Sequence, residues 1–192
     1  QEARPVIRST MYGLGTVNLY DTYLSPMEYN GVQVRVLRES SRLTPWMDGK
    51  VSRQVMFQGH VAAAENRAET ASELAGMVNW NYALHYNFRC LDERLRWAIG
   101  PMAQIHGGFL YNTRNSNNPA QAKLYANLAA SAIVAYSLPW KWLPMEVRYQ
   151  LDVPFVGVMF SPQYGQSYYE IFSLGHADGT VCFTSFHNQP TW

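Results

Sequence analysis

The chain is short of charge, of lysine, of cysteine and of long apolar runs. Charged residues make up 15% of its 192 positions, against about 25% in ordinary soluble domains. The net charge is +1, so nothing points to a nucleic-acid partner. Lysine occurs only at Lys50, Lys123 and Lys141. Two cysteines, Cys90 and Cys182, are too few for a disulfide scaffold. No stretch reaches the roughly 18 apolar residues of a membrane-crossing helix, and the mean hydropathy is -0.24. A helical membrane protein does not fit. A membrane barrel passes the same test, because half of each strand faces the interior and stays polar.

What the chain does have is alternation. Between Leu74 and Phe88 the even positions are Leu74, Gly76, Val78, Trp80, Tyr82, Leu84, Tyr86 and Phe88. The odd positions are Ala75, Met77, Asn79, Asn81, Ala83, His85 and Asn87. A strand sends successive side chains to opposite faces, so this is one apolar face and one mostly polar or small face. Soluble strands average about 5–6 residues, whereas a tilted membrane-crossing strand needs about 9–11. The stretch reads as one stave of a transmembrane barrel.

The same pattern predicts strands over residues 11–24, 32–42, 51–64, 95–111, 123–138 and 145–160, and the start of an eighth near 180–187. Turn chemistry separates them: Ser25-Pro26 with Asn30-Gly31, Pro45 with Asp48-Gly49, Asp92-Glu93-Arg94, the Asn115–Pro119 run and Pro139. Residues 1–10 read as an extended periplasmic lead-in and 11–192 as the barrel domain. The opening Gln-Glu-Ala-Arg-Pro fits a mature N-terminus after signal cleavage. Pro101 and Pro154 fall inside strands; each is expected at a bulge or a missing ladder bond.

The rival is a soluble barrel or sandwich with the apolar parity turned inward. Lysine placement argues against it, since all three lysines fall in turns or at a strand end. The polar parity instead carries Asn, Gln, His, Ser and small residues, as a crowded interior would. If the barrel starts in the periplasm, Trp46, Trp97, Trp140 and Trp142 collect as a periplasmic aromatic girdle, where indole prefers to sit. Tyr23, Phe109, Tyr111 and Phe160 fall near the outer interface. The fold expected is an all-β, antiparallel, up-and-down transmembrane barrel of eight or more strands. Only seven and a fragment are legible, whereas such barrels have even numbers. The expectation is that further strands follow beyond this sequence.

Met-Tyr-Gly-Leu-Gly-Thr-Val-Asn-Leu-Tyr-Asp-Thr-Tyr-Leu-Ser-Pro (11–26), Glu-Tyr-Asn-Gly (28–31) and Asn-Trp-Asn-Tyr (79–82), set among the long alternating strands, carry a family likeness. The chain resembles small outer-membrane barrels of Bacteroidetes, an uncharacterised family defined as a domain of unknown function. The resemblance implies an outer-membrane address and carries over no functional residues.

Candidate chemistry is sparse. His60, His85 and His106 share the interior parity, but they come from three strands without ligand spacing, and hydrogen-bonded interior residues explain them better than a metal. No metal or cofactor is expected. Arg35, His85, Arg89, Arg96, Glu146, Arg148 and Asp152 should form an interior polar network, because an unpaired buried charge is very costly. In a barrel of about eight strands side chains fill the interior, so the network should close it. His60, His85, Asp21 and Ser131 are the ingredients of a nucleophile site, but mutual reach is not legible and no Gly-x-Ser-x-Gly occurs.

Small residues are frequent on the apolar parity: Gly13, Gly15, Gly59, Ala63, Ala126, Ala130 and Ala132. With Trp80 and Tyr82 near mid-depth, the set Gly59, Ala63, Trp80, Tyr82, Ala126 and Ala130 is a candidate partner face. Cys90 and Cys182 should lie at opposite ends and stay unbonded. The expected function is structural or accessory, as a subunit of a larger outer-membrane assembly. Its expected partners are outer-membrane lipid and other outer-membrane proteins or lipoproteins. A narrow pore and a lipid-modifying enzyme are the alternatives.

Overall fold

A computed structural model of the chain describes residues 6–90, 94–116, 119–140, 142–160 and 180–185. Among these residues the structure is all β apart from one short 3-10 turn. The strands are β1 (Val6–Leu19), β2 (Tyr29–Leu43), β3 (Val51–Asn66), β4 (Ser72–Cys90), β5 (Leu95–Asn112), β6 (Ala120–Ser137), β7 (Glu146–Phe160) and β8 (Val181–Ser185). They form one antiparallel sheet in chain order, each strand beside the next. Among the described residues the sheet is open, with β1 and β8 at its two edges.

The expected strands match with shifts at their ends. The largest is at β1, which starts at Val6 and ends at Leu19. Residues 6–10 of the expected lead-in therefore belong to the sheet. The eighth strand is present and short. The expected loop 161–179, part of the 91–94 turn and the final residues 188–192 lie outside the described residues.

Alternation explains the two faces. Val55, Phe57, Val61, Trp80, Ile105 and Leu128 line the convex side, while Gln54, Ala83, His85, Gln104 and Ser131 are buried on the concave side. The concave side is not uniformly polar. Met56, Ala83, Met102 and Ala129 form a buried apolar belt across its middle.

Both prolines sit where the ladder is broken. Phe155 is an extra residue where β7 pairs with β6, because Leu128 faces Val156 and Ala129 faces Pro154. Beside Pro101 the β4–β5 register omits Leu84 and His85. A side chain at neighbouring Gly100 would collide with the Leu84 carbonyl oxygen at 1.9 Å, so only glycine lets these strands approach.

The expected outward face of Gly13 and Gly15 needs correction, and β7 changes parity along its length. In β1, Gly13 lies opposite Arg35 and Gly15 opposite Gln33, so Met11, Gly13, Gly15, Val17 and Leu19 share the concave face. Tyr12 and Leu14, 80% and 87% exposed, point outward instead. Apolar and polar residues occur on both parities of β1, so its pattern could not set the face, and pairing with β2 does. In β7 the bulge reverses the parity. Met159 faces Tyr125 on the concave side, while Val156 and Val158 continue the outer wall.

Candidate functional site: the polar interior

The lower interior, at the end of the β2–β3 turn, holds a bonded chain of side chains that crosses the sheet. Glu39 comes from β2, Gln54 from β3, and Arg148, Gln150 and Asp152 from alternate positions of β7. The Arg148 guanidinium donates to Glu39 Oε2 at 2.7 Å. Gln54 Nε2 donates to Glu39 Oε1 at 2.7 Å and to Gln150 Oε1 at 2.8 Å. Strands β2 and β3 are far from β7 in the sheet, so these bonds require the sheet to curl until its concave face meets itself. Gln150 Nε2 then donates to Asp152 Oδ1 at 3.1 Å, and the Ser131 hydroxyl donates to the same oxygen at 2.5 Å. His85 Nε2 lies 2.9 Å from Ser131 Oγ.

This network contains His85, Arg148 and Asp152 of the expected set. Arg96 and Glu146 form a separate, more exposed ion pair at the lower rim. Arg89 lies on the same interior parity near the rim. Arg35 faces the concave side opposite His60, but it is exposed and joins neither group. Glu39, Gln54, Gln150 and Ser131 complete the network. Their interior parity was legible, but which strands meet across the curl was not.

The upper interior has its own cluster. Asn112 donates to both the Tyr29 hydroxyl and Glu73 Oε1 at 2.9 Å. The β1–β2 connection folds into this mouth: Asp21 pairs with Lys123 of β6, and Asn115 donates to the Leu24 carbonyl at 3.0 Å. Tyr23 and Leu24 pack against Ala62, Ala75 and Leu110. Tyr23, expected near an outer interface, is thus part of an inward plug. An Asx turn from Asp21 Oδ1 to the Tyr23 amide sets the reversal.

Beneath the lower network is a cavity of about 640 Å³, lined by Lys50, Arg89, Arg96, Glu146 and Arg148 among others. Trp46, Trp97, Trp140 and Trp142 are all exposed at or near this end, and Trp140 stacks on Trp142 at 6.3 Å.

Of the nucleophile ingredients, the structure joins only His85 and Ser131. Asp21 is at the other mouth, and His60 is not in hydrogen-bond contact with any of them. The wiring is also inverted relative to a nucleophile triad, where the acid orients the imidazole. Here Asp152 accepts a hydrogen bond from the Ser131 hydroxyl, and His85 Nδ1 has no hydrogen-bond partner. His106 stacks on Tyr125 at 4.1 Å. No group of three or more metal-ligating side chains occurs among the described residues.

On the convex side Gly59, Ala63, Trp80 and Tyr82 lie on adjacent β3 and β4, with Trp80 stacked on Tyr82 at 6.1 Å. Ala126 and Ala130 are on β6, with β5 between. Cys90 and Cys182 are not joined in a disulfide.

Fold and interior together define an up-and-down β-sheet protein curled around a plugged, hydrogen-bonded interior. The chain belongs to the family described as protein of unknown function (DUF3316), whose model matches residues 1–192. No curated protein and no solved structure matches it.

Proposed function

We propose that this chain is a structural or accessory wall of a Gram-negative outer membrane, working as one subunit of a larger outer-membrane assembly. The likeness to Bacteroidetes barrels belongs with this reading. The observation that carries it is the inversion of the two faces. Val, Leu, Ile, Phe and Trp side chains stand exposed on the convex wall, while Gln54, Glu73, His85, Asn112 and Ser131 are buried inside. Water disfavours so large an apolar surface, and hydrocarbon accepts it. Strands of 14–19 residues from β1 to β7 are long enough to cross when tilted.

The assembly half of the proposal draws on the open edges. Neither β1 nor residues 146–155 of β7 have an outer neighbour among the described residues. Hydrocarbon does not tolerate unpaired backbone, so other backbone must cover both edges. Other outer-membrane proteins or lipoproteins are the partners this reading calls for, besides lipid. The plug and the cross-sheet network favour a closed interior over a narrow pore.

Refolding into phospholipid vesicles tests the membrane reading. The protein should float with vesicles after an alkaline wash, and recovery in the soluble fraction would reject it. Planar-bilayer recording separates wall from pore: no unitary conductance is expected. A lipid-modifying enzyme is the second reading, favoured by the His85–Ser131 contact. Covalent labelling of Ser131 by a fluorophosphonate would support it, and the inverted wiring predicts no labelling.

A further inference from the structure

The convex wall is uncharged over β4–β8 but not over β1–β3. Strand register puts Arg8 of β1, Arg38 and Arg42 of β2, and Arg53 of β3 on the outer face. The only acidic residue on that face of the three strands is Glu65, at the opposite end of β3. Arg42 and Arg53 are directly opposed across the β2–β3 pair. Like charges so placed repel, with Cβ atoms about 5 Å apart. Arg8, opposite Ser40, stands between the levels of Arg38 and Arg42. Among the described residues none of the four side chains has a hydrogen bond or ion pair. They flank the turn that carries Trp46, at the interfacial end of the wall. Val34, Val36, Val55 and Phe57 continue the same face as an apolar track.

We propose that Arg8, Arg38, Arg42 and Arg53 form an outward-facing site for the phosphate of a membrane lipid headgroup, with its acyl chains lying along the neighbouring apolar track. This rests on the membrane reading above. A guanidinium holds phosphate through two parallel hydrogen bonds, and one anion between Arg42 and Arg53 removes their mutual repulsion. Long arginine side chains reach to the headgroup level from within the wall, which accommodates Arg38 farther up β2. The apolar track beside the charges selects a lipid over an acidic protein segment.

The test is native mass spectrometry of the refolded full chain in detergent micelles supplied with equimolar dioleoylphosphatidylglycerol and dioleoylphosphatidylcholine. The wild type should retain the anionic lipid with a preference of about fivefold or more. Replacing all four arginines by Gln should abolish the preference, while Arg67→Gln in the opposite-end loop should keep it. Should the four-site variant not refold, Arg42→Gln/Arg53→Gln is read instead, and should lose about half or more of the preference. Equal retention of both lipids by the wild type, or selectivity that survives the substitutions, overturns the site. So does an Arg53→Cys cross-linker that captures an acidic protein from native membranes and no lipid. Failure to enter vesicles at all overturns the membrane reading and this site together; entry without lipid selectivity overturns the site alone.

Discussion

The two ends of the interior are built in different ways. At the upper mouth a connection only nine residues long, between Leu19 and Tyr29, turns inward and lays Tyr23 and Leu24 over Ala62, Ala75 and Leu110. At the lower end, among the described residues, strand side chains make the crossing contacts. Glu39 and Gln54 reach Arg148 and Gln150, residues about a hundred positions later in the chain. The upper seal is thus made by a local segment, and the lower one by the curl of the whole sheet. Local seals form and open on their own, whereas a seal across the sheet is lost only with the curvature that makes it.

That contrast gives a ranked set of tests. The largest effect is expected from Arg148→Met. It strands the buried Glu39 carboxylate, and breaking such a pair costs about 3–5 kcal/mol when fully buried. Arg148 is 33% exposed, so solvent screening lowers the expected loss to about 2–3 kcal/mol. Urea unfolding in vesicles, followed by the gel mobility shift on heating, measures it. Asn112→Ala should cost less, about 1–3 kcal/mol, by leaving the buried Glu73 and Tyr29 oxygens short of a donor. If the upper substitution proves the more damaging, the ranking of the two seals is reversed.

Conductance sharpens the same comparison. Replacing residues 21–27 by a short Gly-Ser linker should leave the protein non-conducting, because the lower network still fills the passage. Adding Gln54→Ala and Gln150→Ala to that deletion should yield measurable unitary currents. Currents from the loop deletion alone would show that the lower seal does not close the interior. The smallest effect belongs to Ser131→Ala, about 1 kcal/mol, and the wild type should show no fluorophosphonate labelling for it to remove. A drop in labelling would identify Ser131 as a nucleophile.

The candidate residues were unevenly legible. Arg96, Glu146, Arg148 and Asp152 declared themselves as charges on the polar parity of long strands, and each has a partner or a network inside. The outward arginines did not. Arg38 and Arg53 sit in strands whose faces were plain from Val32, Val34 and Val36 or from Val55 and Phe57, yet a charge on an apolar parity looks like an exception until neighbouring strands set four of them together. Tyr23 was misplaced for a related reason. Its aromatic ring suits a girdle as well as a core, and only the Asp21 turn and the Lys123 ion pair decide between them.

Local pattern by itself determined the all-β class, the number of long strands, the turn positions and the faces of β2 to β6. Each of these follows from side chains that alternate every residue and from prolines and glycines that interrupt them. Tertiary structure alone decided the face of β1, the parity switch after Pro154, the inward plug and the partners of Glu39 and Gln54. Those depend on register, bulge and curvature, which bring distant stretches of chain to the same place and leave no periodic trace in either one.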